Sequence, residues 1–480
     1  MTPTNPNPLR GGWLSPLVHL SNNWISLVGV VLVTTATVFW FFLLPTTLRG
    51  HAESPYIGIL AFLVLPVPFI AGLILIPLGM WLKRKREGYE GIYPPEFPPL
   101  AWRNPELRRL AYFILATTFV NVVVAGELGY SAVNYMDSVT FCGRTCHNVM
   151  QPEFTAYQNS PHSRVECIKC HIGPGASWFV RSKLSGVGQV FAVTFNTYPR
   201  PIPTPVRNLR PARETCEACH WPQKYGEDRV EILPKYADDE SNTLAKTVLL
   251  MKIGGGNRGI GIHGTHLGPG ITIRYAHSDE GRQNIPWVQF NGPGGTRVFA
   301  RAGAKTDGLP IREMDCMDCH NRPTHAYELP EHAIDRAMNE GQIAASLPFA
   351  KKKAVELLKA SYPSREEAAR QIPAKFAEFY EHHYPEVWAD HRDKVTAAAQ
   401  ALLAVWNRNV FPEMKVSWGT YPNNLGHMDF PGCFRCHDGG HATKTGESIT
   451  QDCNACHNLL AVEDANPKIL ADLGVAPASK

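Results

Sequence analysis

The sequence predicts a mainly α chain with low regular secondary structure, in which three N-terminal transmembrane helices precede an extramembrane domain with a small β insertion. Three observations carry this prediction. Strongly apolar sequence is confined to residues 24–130. All twelve cysteines lie beyond it, in six motifs, each with a histidine directly after its second cysteine. Short β-rich runs (TVLLMKI, ITIRYA, PWVQF, RVFA) cluster in 227–301, between the third and fourth motifs.

Trp24–Pro45 has no charge over 22 residues. As a helix it would be about 33 Å long, enough to span a bilayer. Tyr56–Leu82 is a second run, interrupted by Pro66, Pro68 and Pro77. It is expected to form a kinked helix whose freed carbonyls are met by neighbouring helices. Leu110–Val124 begins a third, reaching Tyr130, with Asn121 and Glu127 inside it. Runs this long favour membrane spans over buried soluble helices. A cleaved signal peptide is not expected, since two long apolar runs follow one another without a clear small-residue cleavage site.

Charge sets the direction. Lys83, Arg84, Lys85 and Arg86 follow the second run, and Arg103, Arg108 and Arg109 precede the third. The loop between the first two runs has only Arg49. By the positive-inside rule, 83–109 and the N-terminus are cytoplasmic, and everything after about residue 130 is outside. In a bacterium the chain is then a multi-pass inner-membrane protein with a periplasmic domain.

The six motifs are Cys142/Cys146/His147, Cys167/Cys170/His171, Cys216/Cys219/His220, Cys316/Cys319/His320, Cys433/Cys436/His437 and Cys453/Cys456/His457. C-x-x-C-H is the signature of c-type haem attachment: two thiols add to the haem vinyls and the next histidine ligates the iron. The first motif, FCGRTCH, has one extra residue between its thiols. A disulfide framework has no need of a histidine after every second cysteine, and zinc ribbons do not demand one. Six covalently bound haem c groups are therefore expected. Residues 142–220 hold three motifs in a stretch too short for a large side-chain core, so porphyrins must form the core there, close enough for electron hopping. The net charge of +4 and the lack of an extended basic face exclude a nucleic-acid partner.

The stretch from the third apolar run through Cys142–His220 resembles the NapC/NirT family of membrane-anchored multihaem quinol dehydrogenases. The family core covers roughly residues 110–225. The three membrane runs and the further haem motifs, with NRPTH at 321–325 and PGCFRCHDGGH at 431–441, are similar to inner-membrane multihaem cytochromes of metal-reducing bacteria. The resemblance implies oxidation of menaquinol or ubiquinol from the membrane pool near the first haem. It implies electron delivery to periplasmic or outer-membrane cytochromes, or to a reductase, in anaerobic respiration. It further implies that a methionine just after the first motif ligates the first haem. Met150, in CHNVM, is the matching residue. Both the thiol and the methionine spacings are one longer than the family's, which leaves His147 open as the ligand instead. A lysine that faces the quinol oxygen in the family corresponds to Lys183, twelve residues after His171. A cation there would stabilise a quinol anion and ease deprotonation. The plain alternative is a solvated lysine at the lipid headgroups. Where the family has a carboxylate to accept the proton, this chain has Gln189, which passes that role to Glu153, Glu166 or a haem propionate.

Low-spin electron-transfer haems usually take a second strong ligand, most often imidazole. Of nineteen histidines, thirteen lie outside the motifs. His162, five residues before Cys167, and His325, five after His320, are pinned near haems by the chain. His427 and His441 flank the fifth motif. His263 and His266 lie in GIGIHGTHLGPG, whose glycines do not follow the dinucleotide fingerprint; one of the two is expected to ligate. This gives five distal histidines, the number required if the first haem uses methionine. His19 and His51 flank membrane segments, and His277, His332, His382, His383 and His391 are expected on the surface.

The expected organisation is thus a membrane domain over 1–130, with spans at 24–45, 56–82 and 110–130, and a three-haem domain over 131–226. A β-rich insertion over 227–310, a fourth haem segment over 311–330, a helical spacer over 331–410 and a two-haem segment with tail over 411–480 follow. The function expected is a membrane-bound hexahaem quinol dehydrogenase. Two alternatives stand beside it: a terminal reductase of nitrogen oxyanions or metals, and a non-catalytic relay anchor. A C-x-x-C-K motif would favour the reductase, and the sequence has none.

Overall fold

The computed structural model describes residues 14–48, 64–145, 147–173, 178, 185, 186, 188, 189, 191–206, 209–221, 226–255 and 260–475. The chain is about half helical. It divides into two compact units, Met1–Thr145 with Glu166–Phe191, and Cys146–Val165 with Ala192–Lys480.

The first unit is built on α1 (Ser15–Ser21), α2 (Trp24–Leu48), α3 (Pro66–Glu90) and α4 (Pro105–Asp137). The last three are long and apolar enough to cross a membrane. Helices α2 and α3 approach closely because both present glycine at the crossing. A Cβ on Gly72 would lie 2.7 Å from the Gly29 carbonyl oxygen and 2.8 Å from Val33 Cγ2. Without a hydrophobic drive between helices in lipid, such small residues let dispersion and weak polar contacts hold the pair. Ser26 Oγ donates to the Ile76 carbonyl oxygen at 2.9 Å, tying the same two helices. The polar Asn121 in α4 is met by α2: Thr35 Oγ1 donates to its Oδ1 at 3.0 Å, and its Nδ2 donates to Thr34 Oγ1 at 3.2 Å.

Two of these helices run beyond their apolar stretches. Helix α3 continues past Leu82 through the basic segment to Glu90. Lys, Arg and Glu favour helix, and the i,i+4 pairs Lys83–Glu87 (3.6 Å) and Arg86–Glu90 (2.9 Å) support it. Gly91 then ends it at φ +70°. Helix α4 starts five residues ahead of Leu110, because Asn104 caps it by accepting from Glu106 N–H and Pro105 supplies a preset first turn. At the shared end of α1, α3 and α4, His19 sits between two carboxylates, Nδ1 2.9 Å from Glu106 Oε1 and Nε2 3.0 Å from Glu87 Oε2. Residues 51–63, the start of the expected second span, lie outside the described residues.

Among its described residues, the second unit contains α5 (His147–Gln158) and eight strands: β1 (Arg229–Tyr236), β2 (Leu244–Met251), β3 (Thr272–Ala276), β4 (Trp287–Gly292), β5 (Gly295–Arg301), β6 (Ile311–Glu313), β7 (His441–Ala442) and β8 (His457–Asp464). They form two antiparallel sheets, ordered β1-β2-β8 and β6-β3-β4-β5-β7. The sheets are therefore not confined to 227–310. They recruit β7 and β8 from the segment that carries the last two motifs. Those motif segments have few apolar side chains, so backbone pairing supplies their anchorage. Between β2 and β3 lies α6 (Gly261–Leu267).

Helices α7 (Pro330–Asn339), α8 (Ala350–Lys359), α9 (Arg365–His383), α10 (Pro385–Asp390) and α11 (Arg392–Asn409) surround the largest apolar core, where Trp406, Tyr380, Phe376 and Leu402 are fully buried. A buried polar knot fastens this bundle to β1: Asp335 accepts from Lys351 Nζ and, at 2.9 Å, from the Tyr236 N–H. A smaller cluster packs Val149 of α5 against Phe411, Met414 and Tyr421.

Candidate haem centres

The first motif begins just after α4 ends. Phe141–Thr145 is a π-helical turn and Cys167–His171 a single α-helical turn. The Cys142 thiol hydrogen-bonds Cys167, which brings these two motifs together. Cys146 and Lys183 lie outside the described residues, as does the His147 side chain. Met150 is half-buried on α5, in the turn after His147. Gln189 is exposed and donates to Ser185 Oγ at 3.3 Å. Glu166 is exposed, 3.9 Å from Lys169 Nζ. Glu153 faces Arg322 (3.6 Å) and His325 (3.3 Å).

The polypeptide covers the motif thiols only in part. Cys170 of the second motif and Cys219 of the third are exposed, whereas their partners Cys167 and Cys216 are half-buried. Cys433 and Cys453, in the fifth and sixth motifs, are exposed as well. None of the described cysteines is in a disulfide. A thiol open on one side still suits covalent attachment, which requires that a vinyl group reach the sulfur.

Among the described residues of the second unit, four histidine ring pairs recur, each joining a motif histidine to another expected ligand. The centroid separations are 5.9 Å for His162–His220, 6.2 Å for His263–His320, 5.9 Å for His266–His437 and 6.2 Å for His427–His457. Two imidazoles bound to one metal at about 2 Å per nitrogen have centroids about 6 Å apart. The spacing therefore fits an iron between each pair.

Ring orientation agrees. Nδ1 lies 3.2 Å from the Pro323 carbonyl oxygen in His162, 2.7 Å from that of Ile262 in His266 and 2.7 Å from that of Thr450 in His437. In His325 it lies 2.9 Å from the Glu153 carbonyl oxygen. An Nδ1–H donated to a carbonyl fixes the tautomer and presents the Nε2 lone pair, as metal-ligating histidines do. Burial also lowers the pKa of His263, His266 and His320, and brings His325 down to about 4. It thus favours the neutral imidazole that ligation requires.

His441 departs from the sequence expectation. It is fully buried, with Nδ1 2.7 Å from Asp438 Oδ1 and Nε2 2.7 Å from the Ile285 carbonyl oxygen. Both nitrogens are engaged, so this geometry offers no lone pair to a metal. Conversely, His263 and His266 each stand beside a different motif histidine, where the sequence expected only one of them to serve.

Within the second unit, the third to sixth motifs adjoin in chain order. Cys316 hydrogen-bonds Cys216 of the third motif. Arg435, inside the fifth motif, donates to the carbonyl oxygen of Asp318, inside the fourth. Cys433 of the fifth motif lies close enough to Cys456 of the sixth to help raise the pKa of the Cys456 thiol, after burial. Sequence reasoning missed Asp318 and Arg435. The contact is to the backbone of Asp318, whose carboxylate instead pairs with Arg282 and Arg312, so no local sequence signal marks it.

Residues 105–201 match the NapC/NirT cytochrome c family, N-terminal region. The chain is 41% identical over 453 residues to the cytochrome c-type protein ImcH of Geobacter sulfurreducens, across 92% of this chain and 89% of that protein. The chain belongs to the NapC/NirT cytochrome c family. No solved structure matches it. Membership of this family implies covalently bound haem c, and a NapC/NirT cytochrome with three apolar helices is a membrane-anchored electron-transfer protein. The family match covers Met150, Lys183 and the first two motifs. The four histidine pairs rest on residues both inside and beyond it.

Proposed function

We propose that this NapC/NirT cytochrome is a membrane-bound hexahaem quinol dehydrogenase of the bacterial inner membrane. It oxidises menaquinol or ubiquinol at the outer membrane face and passes electrons to periplasmic or outer-membrane cytochromes or to a reductase. The observation that carries the relay is the set of four histidine pairs along the third to sixth motifs, which adjoin in chain order. The quinol half is supported by the family match over the first two motifs. Haem supplies one-electron chemistry at each centre.

The protein's own part is to hold and orient. Twelve cysteines fix six groups, and His147, His171, His220, His320, His437 and His457 are their motif-side ligands. His162, His325 and His427 are proposed as distal ligands, together with the α6 histidines, and Met150 as the ligand of the first centre. Lys183 would hold the quinol oxygen and favour its deprotonation through its positive charge. Gln189 cannot take the proton, and Glu166, exposed beside Lys169, is the carboxylate on the same segment as Lys183.

Purified protein should be reduced by a menaquinol analogue in stopped-flow absorbance. Lys183→Ala should slow that step at least about tenfold, the equivalent of about 1.4 kcal/mol of lost stabilisation. Met150→Ala should slow it and perturb the spectrum of one haem. Unchanged quinol-driven reduction in both variants would sink this assignment.

A further inference from the structure

We infer that α6 carries two distal haem ligands, His263 for the fourth centre and His266 for the fifth, so that one helical turn clamps two neighbouring haems. This rests on the haem reading of the motifs. Residues three apart on a helix share a face, about 5–6 Å apart at Cβ. His263 and His266 are so placed within Gly261–Leu267. Their rings face His320 at 6.2 Å and His437 at 5.9 Å.

The two motifs they meet are independently locked together. Arg435 of the fifth, which is buried, donates to the carbonyl oxygen of Asp318 in the fourth, and Asn424 Nδ2 donates to the same oxygen at 3.1 Å. The ligand turn is itself fixed. Ile262 N–H donates to the Lys252 carbonyl oxygen and His263 N–H to that of Ile253, both at 2.9 Å, so the turn hangs from the end of β2. Gly254 and Gly261 allow this: a Cβ on Gly254 would lie 2.0 Å from the Ile260 carbonyl oxygen, and both glycines have positive φ. With both α6 histidines as ligands and both nitrogens of His441 engaged elsewhere, the distal set becomes His162, His263, His266, His325 and His427.

The test uses the full, haem-loaded protein and electron paramagnetic resonance. His263→Ala and His266→Ala should each keep full haem content while converting one low-spin haem to high spin, and the double variant should convert two. Added imidazole should restore the low-spin signal. His441→Gln should leave the low-spin count unchanged. An unchanged count in either alanine variant, a single conversion in the double variant, or a loss in His441→Gln would overturn the inference. His266→Met, which keeps a ligand at the position and guards against simple misfolding, should raise the potential of one haem, since thioether ligation favours the reduced iron; an unmoved potential would also overturn it. Mass spectrometry of the Cys316–Cys319 and Cys433–Cys436 peptides separates the two levels. Absent haem there in the unaltered protein defeats the haem reading itself, whereas haem present with unaffected spin states defeats only the α6 assignment.

Discussion

Asp335 and Lys351 show what single residues hold in the second unit. Both are buried among the bundle helices, and Asp335 also receives the backbone N–H of Tyr236. A buried pair adds little net stability over an apolar replacement, but removing one partner strands the other charge. Asp335→Ala should therefore cost about 3–5 kcal/mol, seen as an earlier midpoint in a circular-dichroism melt. Asp335→Leu combined with Lys351→Met should recover part of it. A melt of Asp335→Ala indistinguishable from the parent would refute this role. At this scale the sequence was partly legible. Each motif histidine is marked by the two cysteines before it. Distal ligands carry no mark at all, because ligation depends on which chain segment folds back onto which motif. That is why His441, next to a motif in sequence, lies turned onto Asp438 and Ile285, while His263 and His266, far from any cysteine, stand beside two motifs.

Among the elements, the membrane helices were the most readable, since length and lack of charge alone specify a span. Their true ends were not, because helix propensity and capping carried α3 and α4 past the apolar stretches. The α2–α3 contact makes a sharp prediction. Gly72→Leu places side-chain atoms where the Gly29 carbonyl and Val33 already lie, and should destabilise the helix pair by about 1–3 kcal/mol or more. Gly88→Leu on the same helix, where a Cβ meets nothing within 4 Å, should be neutral. Titration with a denaturing detergent distinguishes them, and equal resistance of the two variants would refute the close-packing account. The strands were legible as strands, but their partners were not. Alternation reveals a half-buried strand, whereas pairing of β2 with β8 depends on a segment near the far end of the chain.

For the whole molecule, the charge asymmetry around α3 and α4 predicts a direction. An alkaline phosphatase fused after Asp137 should be active, and one fused at Pro94 inactive. The opposite pattern would reverse the orientation and with it the periplasmic placement of the haems. Five C-x-x-C-H repeats and one longer variant reveal the class of molecule, because covalent haem attachment pairs two nearby thiols with the next histidine. The spatial neighbours of each motif follow from tertiary contacts such as Arg435 to Asp318, which no local pattern encodes.

The sixth motif ends on His457, and His457 opens β8, which pairs in register with Met251 at the end of β2. Every residue between those strands must emerge before that edge can close. Folding of this sheet is therefore deferred by loop closure across residues 252–456. Until then β2 keeps an open edge, exposed to pairing with other chains. The segment of the sixth motif is thus also the latch of this sheet, and a chain cut short before it would leave the β2 edge open to aggregation.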